Sequence, residues 1–155
     1  MSNISQSSDL NNALKPYLIE SYMVFENGTV IDIQTNLMWM RCALGQYWDG
    51  KTCVGKPKLV RWDQHDEQTG DGFAGYNDWR LPTIDELQTL LRKSTSGYEI
   101  HPDVFPNCPR ENFWSSSFDN SSSAIGAWAA RFPNGGSDDH ERWNEFAIRL
   151  VRSGN

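Results

Sequence analysis

Three consecutive serines, Ser115, Ser116 and Ser117, and three histidines, His65, His101 and His140, are the residues that could supply a nucleophile and a general base. Acyl transfer would need one hydroxyl hydrogen-bonded to one imidazole, and no G-x-S-x-G elbow or other local catalytic signature surrounds them. FWSSS therefore reads as a strand of small residues beside a buried Trp114, and no catalytic residue is assigned. Hard-cation chemistry has two candidate clusters, Asp71, Asn77 and Asp78, or Asp138, Asp139 and Glu141, because calcium needs several convergent oxygens. Neither spacing matches an EF-hand loop, and solvated turn carboxylates are the commoner explanation. No cofactor is expected beyond a calcium ion, for which Asp138 and Asp139 are the candidate ligands.

A recognition surface is the alternative to catalysis. Loops 119–123 and 134–144 connect terminal strands, so their ends should project at neighbouring positions, with Asp119 and Asn120 in the first. In the second, Trp143 follows His140, Glu141 and Arg142, a stacking ring among hydrogen-bonding groups that suits a sugar or a peptide side chain. The same Trp143 fits a core ring equally well. Three cysteines are present, none in a C-x-x-C or zinc-ligand spacing. Bridging Cys42 to Cys53 across CALGQYWDGKTC would stabilise by about 3 kcal/mol in an oxidising compartment and leave Cys108 free. The other reading is three reduced, buried thiols.

The elements that must position these groups are organised around YNDWRLPTIDELQTLLRK, residues 76–93. Pro82 fits an extended approach, and Thr83 with Glu86 makes a capping box that starts a helix. Ile84, Leu87, Leu90 and Leu91 then share one face, with Asp85 and Glu86 in the first turn and Arg92 and Lys93 in the last. Trp79 is expected as a core ring and Arg80 as a structural cation. Upstream, 22–25 and 30–33 form a hairpin about Asn27-Gly28, and 37–40 continues the sheet with Trp39 inward. Residues 42–60 are expected as a long loop and 62–68 as a short helix. Downstream, 112–118, 127–132 and 145–152 are expected as three antiparallel strands, the last with Phe146, Ile148 and Leu150 on its apolar face. A flexible arm over residues 1–20, with a short helix through Leu10, Leu14 and Leu18, precedes one α+β domain over 21–155.

A chain of 155 residues buries roughly two thirds of its unfolded surface and needs no metal or disulfide merely to fold. Seven Trp, twelve Gly and seven Pro imply many turns with large rings filling irregular space. A net charge of −6 and the lack of any Lys or Arg run oppose nucleic-acid binding. No apolar stretch approaches about 18 residues, so no membrane insertion is expected. No charged-then-apolar leader is present either, which leaves an intracellular protein or the mature part of an exported one.

Four segments in order, GTVIDIQTNLMWMRC, GYNDWRLPTIDELQTLL, FWSSS and FAIRLVR, resemble the Lcl C-terminal domain family, named for the C-terminal domain of a bacterial collagen-like adhesin. The resemblance covers about residues 22–152. The Trp-Arg-Leu-Pro-Thr run is also similar to a segment of formylglycine-generating enzymes. Together these imply a C-type-lectin-like fold of small antiparallel sheets, one or two helices and long irregular loops. The reactive cysteines of the oxidases lie late in the chain, whereas Cys42 and Cys53 precede Trp79, so that enzyme reading is the weaker one. The resemblance implies an adhesion or recognition module for a carbohydrate or protein ligand, with self-association left open. An intracellular inhibitory protein of immunity or phage type is the alternative.

Overall fold

The computed structural model describes residues 15–68, 71–95, 97–118, 126–133 and 135–155. A five-stranded sheet runs in the order β1-β2-β3-β4-β12, from β1 (Tyr17–Ile19), β2 (Tyr22–Val24), β3 (Thr29–Asp32), β4 (Leu37–Met40) and β12 (Val151–Ser153). All its pairings are antiparallel. The β2–β3 turn forms as its Asn-Gly step demands. Gly28 sits at φ 87°, and the Asn27 side chain accepts from the Thr29 amide at 3.2 Å and hydroxyl at 2.6 Å. Leu18 lies in β1 rather than in a helix, so the sheet begins before residue 21 and the expected arm is shorter. Leu10 and Leu14 lie outside the described residues.

The 42–60 segment is less irregular than expected, since β5 (Tyr47–Trp48) and β6 (Cys53–Val54) form a small hairpin closed by a Cys42–Cys53 disulfide. Its Cα atoms are 5.4 Å apart, and Cys108 is free. Trp62–Glu67 is a 3-10 turn, followed by another at Phe73–Gly75.

Helix α1 (Ile84–Gln88) starts at Thr83 through the capping box. The Thr83 hydroxyl accepts from the Glu86 amide at 3.1 Å, and the Glu86 carboxylate accepts from the Thr83 amide at 2.8 Å. The Ile84 amide donates to the Ser117 hydroxyl at 3.0 Å, and Arg80 grips Glu86 through two bonds of 2.8 Å. The helix is shorter than its apolar period suggests. Leu91–Ser94 is instead β7, paired with β8 (Gly97–Ile100), so Arg92 and Lys93 lie in a strand rather than a last helical turn. Leu87 and Leu90 are fully buried all the same.

A second sheet runs β11-β10-β9, from β9 (Glu111–Phe118), β10 (Gly126–Phe132) and β11 (Ser137–Glu141). Its third strand is the stretch expected as a loop. The segment expected as that strand, 145–152, instead crosses between layers: Phe146 bridges Val60, Ala147 bridges Phe113, Val151 bridges Arg80, and β12 joins β4 in the first sheet. Both sides of this segment are buried from Ala147 to Arg152, because hydrophobic clusters lie on either side of it. One cluster holds Trp39, Leu87, Phe105, Phe113 and Phe132, the other Met38, Trp79, Trp114, Ile148 and Leu150.

Leu87→Ala should cost about 2–5 kcal/mol in urea unfolding, because the side chain is fully buried in the cluster that holds Trp39, Phe105, Phe113 and Phe132. A loss under about 0.5 kcal/mol would show the helix to be peripheral. Glu86 also gives the fold a pH dependence. The hydrogen bonds from Arg80 hold its carboxyl below the ordinary glutamate value. A group depressed in this way stabilises above its unfolded-state value and loses that contribution as pH falls through the folded one. The stability gap between the parent and Glu86→Gln should therefore be widest near neutrality and close below about pH 4. A gap independent of pH overturns the assignment.

Candidate functional site

Residues 141–144 form a tight turn, in which the Asn144 amide and side chain both donate to the Glu141 carbonyl, at 3.1 and 3.0 Å. The turn is tied to the 60–62 segment by backbone bonds. The Trp62 amide donates to the Arg142 carbonyl at 3.0 Å, and Val60 and Phe146 exchange bonds of 2.8 and 2.9 Å. The turn is thus rigid on both flanks and presents Trp143 to solvent with 55% of its surface exposed. The core alternative for this ring does not hold: the turn lifts it off the packed layer where Phe146 and Trp114 meet at 4.6 Å.

Arg142 is half-buried, its guanidinium lying 4.5 Å from the Trp62 ring and 5.4 Å from that of Phe118. Stacking of this kind holds the planar group in one orientation while leaving its edge free to donate. Arg61, Asp63, Arg142 and Trp143 line a groove of about 200 Å3, in which Arg61 Nε lies 3.6 Å from Asp63 Oδ1. Arg142 Nε is buried and has no hydrogen-bond partner among the described residues.

The other expected site residues spread away from this groove. His140 packs edge-on against Phe146 at 4.9 Å and lines a separate groove of about 260 Å3 with Asn112, Arg131 and Asp138. Glu141 is exposed and acts through its carbonyl. Asp119 and Asn120 lie outside the described residues. Asp138 and Asp139 are successive residues of β11, so their carboxylates point to opposite sides. Asp139 lies over Gly126, whereas Asp138 faces the His140 groove. The two cannot hold one calcium ion, and no group of three acidic, His or Cys ligands gathers among the described residues. In the other acidic cluster, Asp78 is bound to Arg152 at 2.6 and 3.1 Å.

Ser115, Ser117, His65 and His101 are engaged with other partners. Ser115 Oγ donates to the Trp128 carbonyl at 2.6 Å, and Ser117 Oγ serves the helix start. Ser116 and His65 line one pocket of about 350 Å3, floored by Trp79 and Leu81. His65 Nδ1, however, lies 2.7 Å from the Trp62 carbonyl and Nε2 lies 3.1 Å from Asp66 Oδ1, which leaves neither nitrogen facing a serine. His101 is buried, accepts from the Asp103 amide at 3.2 Å and faces Glu20 at 3.5 Å. The structural residues hold the frame. Trp79 and Trp114 donate to the Phe73 and Val60 carbonyls, and the Pro82 carbonyl takes the Ser116 amide.

Arg61 and Asp63 line the groove and Trp62 and Phe118 stack against its Arg142, yet none of the four carries a local signal in the sequence. The Val60–Phe146 bridge and the Trp62 amide bond to the Arg142 carbonyl bring the 61–63 segment to Arg142, and the end of β9 brings Phe118, all from far along the chain.

The model of the Lcl C-terminal domain family matches residues 28–152. The comparison with curated proteins returns no match.

Trp143→Ala should change unfolding stability by less than about 0.5 kcal/mol, whereas Trp114→Ala should cost about 3–5 kcal/mol. Chemical denaturation of the two variants beside the parent decides it, and equal losses would return Trp143 to the core.

Proposed function

Because the chain belongs to the Lcl C-terminal domain family, we propose that it is a non-catalytic recognition module that binds a carbohydrate or protein ligand through loops on a C-type-lectin-like scaffold. The observation that carries this reading is Trp143, a large ring held in solvent by a turn rigid on both flanks, beside a guanidinium fixed by two further rings. An exposed, immobilised Trp loses little entropy when a ligand covers it, and Trp and Arg are the residue types most often dominant in binding energy. Among the described residues, small antiparallel sheets with one short α-helix and long connections fit the proposed scaffold. The Cys42–Cys53 bridge favours an oxidising compartment and therefore an exported module over an intracellular inhibitor.

The test is a glycan array run in parallel with a pull-down, each with the parent and with Trp143→Ala. A ligand retained by the parent and weakened at least about tenfold by the substitution, at unchanged stability, is the expected result. A ligand bound equally by both would move the site elsewhere, and turnover of a substrate would remove the non-catalytic reading.

A further inference from the structure

We infer that the groove between Arg61 and Trp143 takes an acidic side chain of an extended peptide, placed next to an apolar residue of the same peptide. This rests on the recognition reading above and names the ligand class. Arg142 lines the groove with a guanidinium stacked against Trp62 and Phe118; its Nε is buried, so a carboxylate would be met by the two terminal nitrogens, which can donate parallel bonds at little entropic cost. Arg61 adds a second cation on the same wall, and its contact with Asp63 is long enough to yield. Trp143 supplies apolar area beside them for a neighbouring aliphatic or aromatic side chain.

The charge around the groove decides between a peptide and a polyanionic sugar chain. Its lining carries two cations and one anion, a local excess of positive charge on a chain of net charge −6. Asp63, however, belongs to that lining, and the chain on either side of Arg142 and Trp143 is acidic, with Glu141 and Glu145 both exposed, so the rim carries negative charge. A ligand charged along its whole length would be repelled at that rim, whereas a peptide can place one carboxylate inside and neutral or basic residues outside. The mixed signs thus favour a single-carboxylate anchor.

Selection of random linear peptides displayed against the intact domain, with titration of the synthesised hits, tests this. Hits should share an Asp or Glu adjacent to an aliphatic or aromatic residue, and changing that residue to Asn or Gln should weaken binding on the order of tenfold. Arg61→Met, at an exposed position, and Arg142→Lys should each weaken the acidic peptide and leave its weaker amide analogue nearly unaffected. Hits without an acidic residue, or hits indifferent to both substitutions, overturn the inference. If no peptide binds while an array glycan does so in a Trp143-dependent way, including one capped by a carboxylated sugar, the peptide class is wrong and the recognition reading stands. If neither probe set binds, both fail.

Discussion

Arg149 sits at the centre of the molecule as a cation almost wholly removed from water, and the rest of the packing is arranged to tolerate it. It has no carboxylate partner among the described residues. Instead one nitrogen donates to the carbonyls of Met40 and Arg41 at 3.1 and 2.6 Å, and the guanidinium lies 4.9 and 5.3 Å from the rings of Phe105 and Phe113. Burial lowers its proton affinity from the ordinary arginine value, yet guanidinium is so basic that the charge persists. An unpaired buried charge costs several kcal/mol, on the order of a domain's net stability, unless oriented dipoles and ring faces replace its hydration. Those dipoles come from the end of β4 and those rings from 105 and 113, so Arg149 holds three distant segments in one arrangement. The neighbouring Cys108 thiol, 3.5 Å away, is pushed upward in pKa by burial and offers the cation only a weak acceptor.

The position of the surface turn follows from that constraint. Arg149 belongs to the 146–152 segment, whose bridges to Val60, Phe113 and Arg80 stitch both clusters together. With Phe146 pinned at one end and β12 at the other, the turn just before it has almost no freedom, and Trp143 inherits that rigidity without being packed itself. The same centre reaches the disulfide hairpin. Arg41 donates to the carbonyls of Val104 and Asp103 and stacks over Trp48 at 4.3 Å, fixing the strand end from which Cys42 departs.

The sequence made local features legible and left long-range ones hidden, for a physical reason. The capping box at Thr83 and the Asn27-Gly28 hairpin are satisfied by residues within a few positions, so pattern alone locates them. Helix α1 ends early because Leu91–Ser94 finds a strand partner across the Gly97 turn, and that pairing overrides an apolar period that would have continued. In 145–152 the alternation suggests one apolar face, but the segment runs between two clusters and buries Arg149 and Arg152 as well. β11 reads SDDHE, a polar string of low strand propensity, and becomes a strand because its neighbour β10 supplies a full register of partners. At the site, Trp143 and Arg142 were named from their own loop, while Arg61, Trp62 and Phe118 were out of reach because only tertiary pairing brings them there.

The aromatic richness of the chain has a common use that also separates frame from site. Among the described residues four guanidinium groups rest on rings: Arg149 on Phe105 and Phe113, Arg41 on Trp48, Arg152 on Tyr76 at 3.8 Å, and Arg142 on Trp62 and Phe118. In the first three cases the guanidinium already has acceptors, carbonyls for Arg149 and Arg41 and Asp78 for Arg152, although Arg149 Nε finds none among the described residues. The Asp78 carboxyl is accordingly held below its ordinary value by Arg152. Arg142 is stacked in the same way, yet the hydrogen bonds among the described residues give its guanidinium no acceptor, and it opens on a groove. A scaffold that stacks its cations and then fills their edges gains structure from them. Arg142, stacked on two rings beside the exposed Trp143 and lining a groove, has no such acceptor among the described residues, and it is on this difference that the proposed recognition role rests.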